Sequence, residues 1–129
     1  NKANVLSILS HYDKALVCYD QELRANPENA DAWCNKGLAL FILGRYGEGV
    51  TCYTRALEVE PARAAVWSMK GNALVIMERP EEALECYERA LAANPDDADA
   101  LSGMTMALIS LDRSAEAVKY YERLQRLQR

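Results

Sequence analysis

The sequence predicts an all-α fold, a stack of antiparallel helix pairs built from one repeated unit. Three observations carry this. Pro27, Pro61 and Pro95 recur every 34 residues, and so do Cys18, Cys52 and Cys86. Tyr19, Tyr53, Tyr87 and Tyr121 keep the same step through four units. Residues 27–60, laid on 61–94 without gaps, are identical at 15 of 34 positions, where roughly two would match by chance. A period of this length in a chain of 129 residues marks a helical repeat array rather than one irregular domain. The units run over about 1–29 (truncated), 30–63, 64–97 and 98–129, within one repeat domain.

Each unit reads as two helices. In the second, Trp33, Lys36, Gly37, Leu40 and Leu43 recur at spacings of three and four and mark one face of a first helix. Val50, Tyr53 and Leu57, with Ala56 at the flank, mark the second. The predicted helices span 3–9, 13–25, 31–43, 47–59, 64–77, 81–93, 98–111 and 115–127, with His11 in the turn between the first two. Gly44 can take the left-handed conformation that ends a helix, and Glu78-Arg79-Pro80 makes the same break one unit later. Pro80 suits a first helical turn, where its missing N–H would be unpaired anyway. Asn26-Pro27, Glu60-Pro61 and Asn94-Pro95 close the second helices, because proline disfavours helical geometry in the residue before it. Asn29 or Asp31, and Asp97 or Asp99, are placed to cap the helices that follow.

These residues resemble the tetratricopeptide repeat, a 34-residue helix-turn-helix with the pattern Trp-x-x-Leu-Gly-x-x-Tyr, then Ala, an aromatic, Ala and Pro. Trp33, Gly37, Leu40, Tyr53, Ala56 and Pro61 fill its places, with aromatic or apolar exchanges. Trp67, Gly71, Leu74, Ala83, Tyr87, Ala90 and Pro95 fill them again. Lys36, Lys70 and Gly49 depart from it. The fourth unit is weaker, with Leu101, Met104, Thr105, Leu108, Ala117, Tyr121 and Leu124. The first keeps Leu6, Ala15, Tyr19 and Pro27. The resemblance implies a right-handed superhelical solenoid of antiparallel helix pairs, and a binding module rather than an enzyme.

Composition narrows the function classes. Fifteen basic residues against nineteen acidic ones leave a net charge of −4, which argues against nucleic acid as a partner. No apolar run reaches the ~18 residues of a membrane span, and no signal peptide is visible, so a cytoplasmic location is expected. His11 is the single histidine. The cysteines are never at the short spacings of a zinc site. Residues one repeat apart sit on helices at least ~8–10 Å apart, beyond the ~7 Å reach of a disulfide, so the cysteines read as small packing residues. The tyrosine ladder reads as core. Arg45, Arg79 and Arg113 read as surface partners of Glu48, Glu82 and Glu116. No nucleophile–base pair, phosphate loop or metal-ligand spacing appears, so neither catalysis, metal nor cofactor is expected.

The resemblance also implies where a ligand binds: a concave face lined by the first helix of each unit. In the second unit this face carries Asp31, Cys34, Leu38, Phe41 and Ile42. In the third it carries Ser68, Asn72, Val75 and Ile76, and in the fourth Ser102, Met106 and Ile109. The truncated first unit offers Asn4, Ser7 and Ile8. Two binding modes of the family can be checked against this series. Asn4 and Asn35 match the asparagines of a carboxylate clamp, but Ala65 and Met69 stand where its lysine and arginine would be. Asn35 matches one rung of an asparagine ladder, which Met69 and Gly103 interrupt. An apolar groove is left, expected to take an amphipathic helix or an extended apolar peptide of a partner protein. Tyr120, Leu124 and Leu127 on the last helix have no following helix to cover them. A fragment of a longer protein, or self-association through uncapped ends in a structural or assembly module, is the alternative.

Overall fold

The computed structural model describes residues 2–128, with side chains from Ser10 onward. It contains seven α-helices and no strand among the described residues: α1 Lys2–Ala25, α2 Ala30–Ile42, α3 Tyr46–Val59, α4 Ala64–Ile76, α5 Pro80–Ala93, α6 Ala98–Ser110 and α7 Ser114–Leu127. They group into two compact units, Asn1–Pro61 and Ala62–Arg129.

The first expected helix pair is instead one helix. α1 runs unbroken through residues 10–12, and His11 is an exposed helical residue whose ring meets Tyr12 edge-on at 5.6 Å. The stretch carries neither glycine nor proline, so nothing in it forces a break. One consequence shows in the repeat register. Cys52 and Cys86 are buried beneath their paired first helices, whereas Cys18 is exposed and Tyr19 only half-buried, because α1 has no antiparallel partner of that kind.

In the first unit α1 and α3 both pack on α2. Leu16, Ala39, Leu40 and Cys52 form the core, with Tyr12, Tyr19, Trp33 and Leu43 against it. Glycines set how closely α2 and α3 approach. A Cβ on Gly37 would lie 2.7 Å from Cε1 of Tyr53, and one on Gly49 would lie 3.1 Å from the Gly37 carbonyl oxygen. The indole N–H of Trp33 donates to the Pro27 carbonyl at 2.8 Å and ties α2 to the turn before it. Lys36 pairs with Asp20 at 2.6 Å and joins α2 to α1.

In the second unit α5 packs on both α4 and α6, α4 touches α6, and α7 covers α6. Val66, Ala73, Leu74, Ala83, Tyr87, Ala90, Ala100, Leu101, Met104 and Leu108 are buried.

The turns repeat as closely as the helices. Gly44, Glu78 and Asp112, one repeat apart, all have positive φ, at 81°, 62° and 62°. Each closes a Schellman motif. The N–H of the following arginine reaches back to Leu40, Leu74 or Leu108 at 2.8, 2.9 and 2.8 Å. Helix starts differ. Asn29 and Asp97 accept from the N–H of Ala32 and Ala100, which decides between the expected capping candidates, whereas Arg63 at the equivalent place gives α4 no side-chain cap. The Arg45–Glu48 and Arg113–Glu116 pairs form as expected, each with a closest contact of 2.5 Å, and Arg79–Glu82 forms in the same way. Hydrogen bonding to Arg45 is the main influence that lowers the Glu48 carboxyl from its ordinary range.

Candidate functional site

The expected ligand face falls on α2 in the first unit and on α4 and α6 in the second. On α2, Leu38 and Ile42 are exposed at 41% and 39%, a helical turn apart, with Asp31 exposed in the first turn. Cys34 and Phe41 are half-buried. The Phe41 ring packs edge-on against Tyr46 with centroids 5.1 Å apart, so it props the α2–α3 turn as well as bordering the face. The side chains of Asn4, Ser7 and Ile8 lie outside the described residues.

In the second unit Ile76 on α4 is 48% exposed, and Met106 and Ile109 on α6 are 61% and 56% exposed. Val75, Asn72 and Ser102 are half-buried around them. Ser68 departs from expectation. It is buried at 2% exposure, and its hydroxyl donates to Oδ2 of Asp97 at 3.3 Å. The 34-residue register puts Ser68 and Cys34 on the same helical position, but Ser68 is buried within its unit, where Asp97 in the turn before α6 accepts from its hydroxyl.

Asn72 is the polar feature of this face. Its Oδ1 accepts from the Tyr87 hydroxyl at 2.6 Å. Tyr87 rises from α5 and is 1% exposed. Its ring comes so close to α4 and α6 that only glycine fits at the two points of contact. A Cβ on Gly71 would lie 2.7 Å from Cε1, and one on Gly103 would lie 2.3 Å from Cζ. Burial pushes the phenol well above its ordinary pKa, so it stays protonated and able to donate. The periodicity marks Tyr87 as core and Asn72 as face. Nothing in the spacing joins them, because they lie fifteen residues apart on different helices. Also illegible in the sequence is the pair of cations at Trp67, with Lys70 and Arg89 5.4 and 5.3 Å from the ring centroid.

Away from this face, Cys52 and Cys86 are buried thiols whose pKa is raised by desolvation, which disfavours the reactive thiolate. Among the described residues no group of three or more His, Cys, Asp or Glu could hold a metal ion, and no helix is long and apolar enough to cross a membrane.

The architecture is thus an all-α helical repeat, of the class used as protein-interaction scaffolds. The tetratricopeptide repeat pattern matches residues 30–62 and 64–97, and the chain belongs to that family. No curated protein sequence matches it. Among solved structures it is similar to MamA, with a TM-score of 0.87 and 21% identity over 90% of this chain and 68% of that one. It is also similar to YrrB, described as a TPR protein with an unusual peptide-binding site, with a TM-score of 0.82 and 26% identity over 97% of this chain and 64% of that one.

Proposed function

We propose that the chain is a non-catalytic interaction module that binds a peptide or helix of a partner protein on its exposed first-helix faces. The observation that carries this reading is the trio Ile76, Met106 and Ile109. Three large apolar side chains, each about half exposed or more, lie on α4 and α6, two helices that touch within one unit. Single exposed apolar residues are ordinary, but several on one pair of touching helices mark a contact surface. The peptide-binding site named for YrrB supports the same direction. Leu38 and Ile42 extend the reading to α2 of the first unit. The buried, protonated thiols of Cys52 and Cys86 fit the reducing cytoplasm.

The test is capture of partners by the wild-type chain and by an Ile76→Glu plus Met106→Glu variant. Both positions are exposed, so the variant is expected to stay folded by circular dichroism while losing its partners. A folded variant with unchanged captures would sink the assignment.

A second reading is favoured by a different observation. Val118, Tyr121 and Leu127 on α7 are exposed at 52%, 49% and 42%. Val118 and Tyr121 neighbour one another at i and i+3, and this part of the helix surface serves assembly in the second reading, by stacking on another copy or a neighbouring domain. Sedimentation velocity over a wide concentration range separates the two: a concentration-dependent oligomer abolished by Tyr121→Lys supports assembly, and a monomer throughout removes it.

A further inference from the structure

We propose that Lys70 and Arg89, gathered at the Trp67 ring, form a docking point for an acidic segment of a partner protein, which they hold by its side-chain carboxylates. The site is separate from the face argued above. Trp67 and Ile76 are nine residues, about two and a half turns, apart on α4, so they point to opposite sides of that helix.

The two middle repeats carry the same pair of cations with the same tryptophan, and only the first neutralises both in full. There Lys36 lies 5.6 Å from the Trp33 ring centroid and pairs with the Asp20 carboxylate at 2.6 Å. Arg55 pairs with Glu58 at 3.5 Å. One repeat later Lys70, Trp67 and Arg89 stand in the places of Lys36, Trp33 and Arg55. The two carboxylates do not recur: Thr54 is in register with Asp20, and Ala92 with Glu58. Among the described residues Lys70 has no carboxylate partner, and Arg89 has Glu85 alone, at 3.8 Å with both side chains more than half exposed. Glu82 is engaged by Arg79.

Without those partners both cations settle at the indole, with Lys70 Nζ 5.4 Å and Arg89 Cζ 5.3 Å from its centroid. Attraction to the electron-rich ring offsets the repulsion between the like charges. It does not use up their N–H donors, and Arg89 is exposed and Lys70 half-buried. A carboxylate is the group that Lys36 and Arg55 each take from the protein itself, and hydrogen bonds between ionised partners are the strong ones. Two cations at one ring suit two acidic side chains on one segment. A nucleic acid would bring a whole row of phosphates against a chain of net charge −4, whereas an acidic segment brings its charge to one point.

The probe is a blocked glycine peptide carrying several glutamates, with its glutamine counterpart as control. Solution NMR of the whole chain follows the indole N–H groups of Trp67 and Trp33, the Nε–H of Arg89 and the methyls of Ile76. The glutamate peptide should shift Trp67 and Arg89 saturably, leave Ile76 in place and bind less well as salt is raised. The glutamine peptide should shift none of them. Lys70→Gln and Ala92→Glu should each weaken binding by about 2- to 5-fold, as loss of one exposed ion pair does. Ala92→Glu restores at an exposed position the carboxylate that Arg55 has, so it serves if Lys70→Gln fails to fold. Conversely, Asp20→Asn with Glu58→Gln should make Trp33 respond as Trp67 does. No saturable shift, a Trp33 response equal to that of Trp67 in the wild type, or unchanged binding by both weakened variants would overturn the inference. Tighter binding of inorganic phosphate or oligothymidylate than of the peptide would overturn it too, by assigning the site to phosphate. Each of these failures leaves the reading of Ile76, Met106 and Ile109 standing.

Discussion

The Tyr87 ring and Gly103 occupy one another's space so fully that a Cβ on the glycine would sit 2.3 Å from Cζ and 2.6 Å from the hydroxyl oxygen. The contact joins α5 to α6 and aims the phenol at Asn72. Gly103→Ala would gain up to about 1 kcal/mol in helix propensity, but it drives a methyl into the ring of Tyr87, which is also in close contact with Gly71. Overpacking of that kind costs about 1–3 kcal/mol or more. A net loss of about 1–2 kcal/mol is expected, read as a lower urea midpoint with unchanged slope; a stabilised variant would contradict the packing described.

The three turns with positive φ offer a comparison within one protein. Gly44 takes its φ of 81° freely, whereas Glu78 and Asp112 hold 62° against their own Cβ atoms. Glu78→Gly and Asp112→Gly should each stabilise by about 0.5–1 kcal/mol, since relief of the left-handed strain exceeds the added chain entropy. Gly44→Ala should destabilise by about 1 kcal/mol even though a Cβ there meets nothing within 4 Å. Thermal unfolding of the three variants checks the pattern, and equal responses would remove the conformational explanation.

Asp97 serves two partners at once. Oδ1 caps α6 at the Ala100 N–H, and Oδ2 accepts from buried Ser68 on α4. Asp97→Ala should cost about 1–2 kcal/mol from the lost cap, plus more because the Ser68 hydroxyl is stranded. Asn29→Ala, which loses a cap alone, should cost about 1 kcal/mol. Adding Ser68→Ala to Asp97→Ala should recover part of the loss, since the stranded hydroxyl goes with it. A strictly additive double-mutant cycle in chemical denaturation would show that the two residues do not interact.

Alkaline pH should unfold the protein through its buried phenols. Burial raises Tyr53 and Tyr87 above the ordinary tyrosine value of 10.0. Because the folded pKa lies above the unfolded one, stability is full below about pH 10 and falls as pH rises toward the folded values. Each phenol kept protonated only in the folded state contributes a slope of about 1.4 kcal/mol per pH unit in that window. Tyr53→Phe should lower the slope of stability against pH above pH 10 and leave the profile near pH 7 flat. An unchanged alkaline slope would show that Tyr53 does not titrate with unfolding.

Much of the fold was legible because the repeat carries its own grammar. Six of the seven helices begin and end within a residue or so of the boundaries expected from prolines, caps and apolar spacing. Those signals act locally, through φ restriction, missing N–H groups and the 3.6-residue period. The first pair was misread because the register of the array was extended into residues 10–12, where no local breaker supports it. Of the expected face, Leu38, Ile42, Ile76, Met106 and Ile109 are indeed exposed. Ser68 was not recognisable as buried, since its burial and its partner Asp97, twenty-nine residues away, are set by the packing of helices.

The sequence by itself determined the all-α repeat, the unit length, the turn positions and the burial of Tyr53 and Tyr87, because each follows from local geometry or from a period repeated along the chain. Only the tertiary structure decided that α1 is continuous, that buried Ser68 meets Asp97, and that Tyr87 donates to the amide of Asn72. These depend on which side chains meet across helices. A hydrogen bond of 2.6 Å or a glycine in close contact with a ring is set by distances between helices that no periodicity encodes.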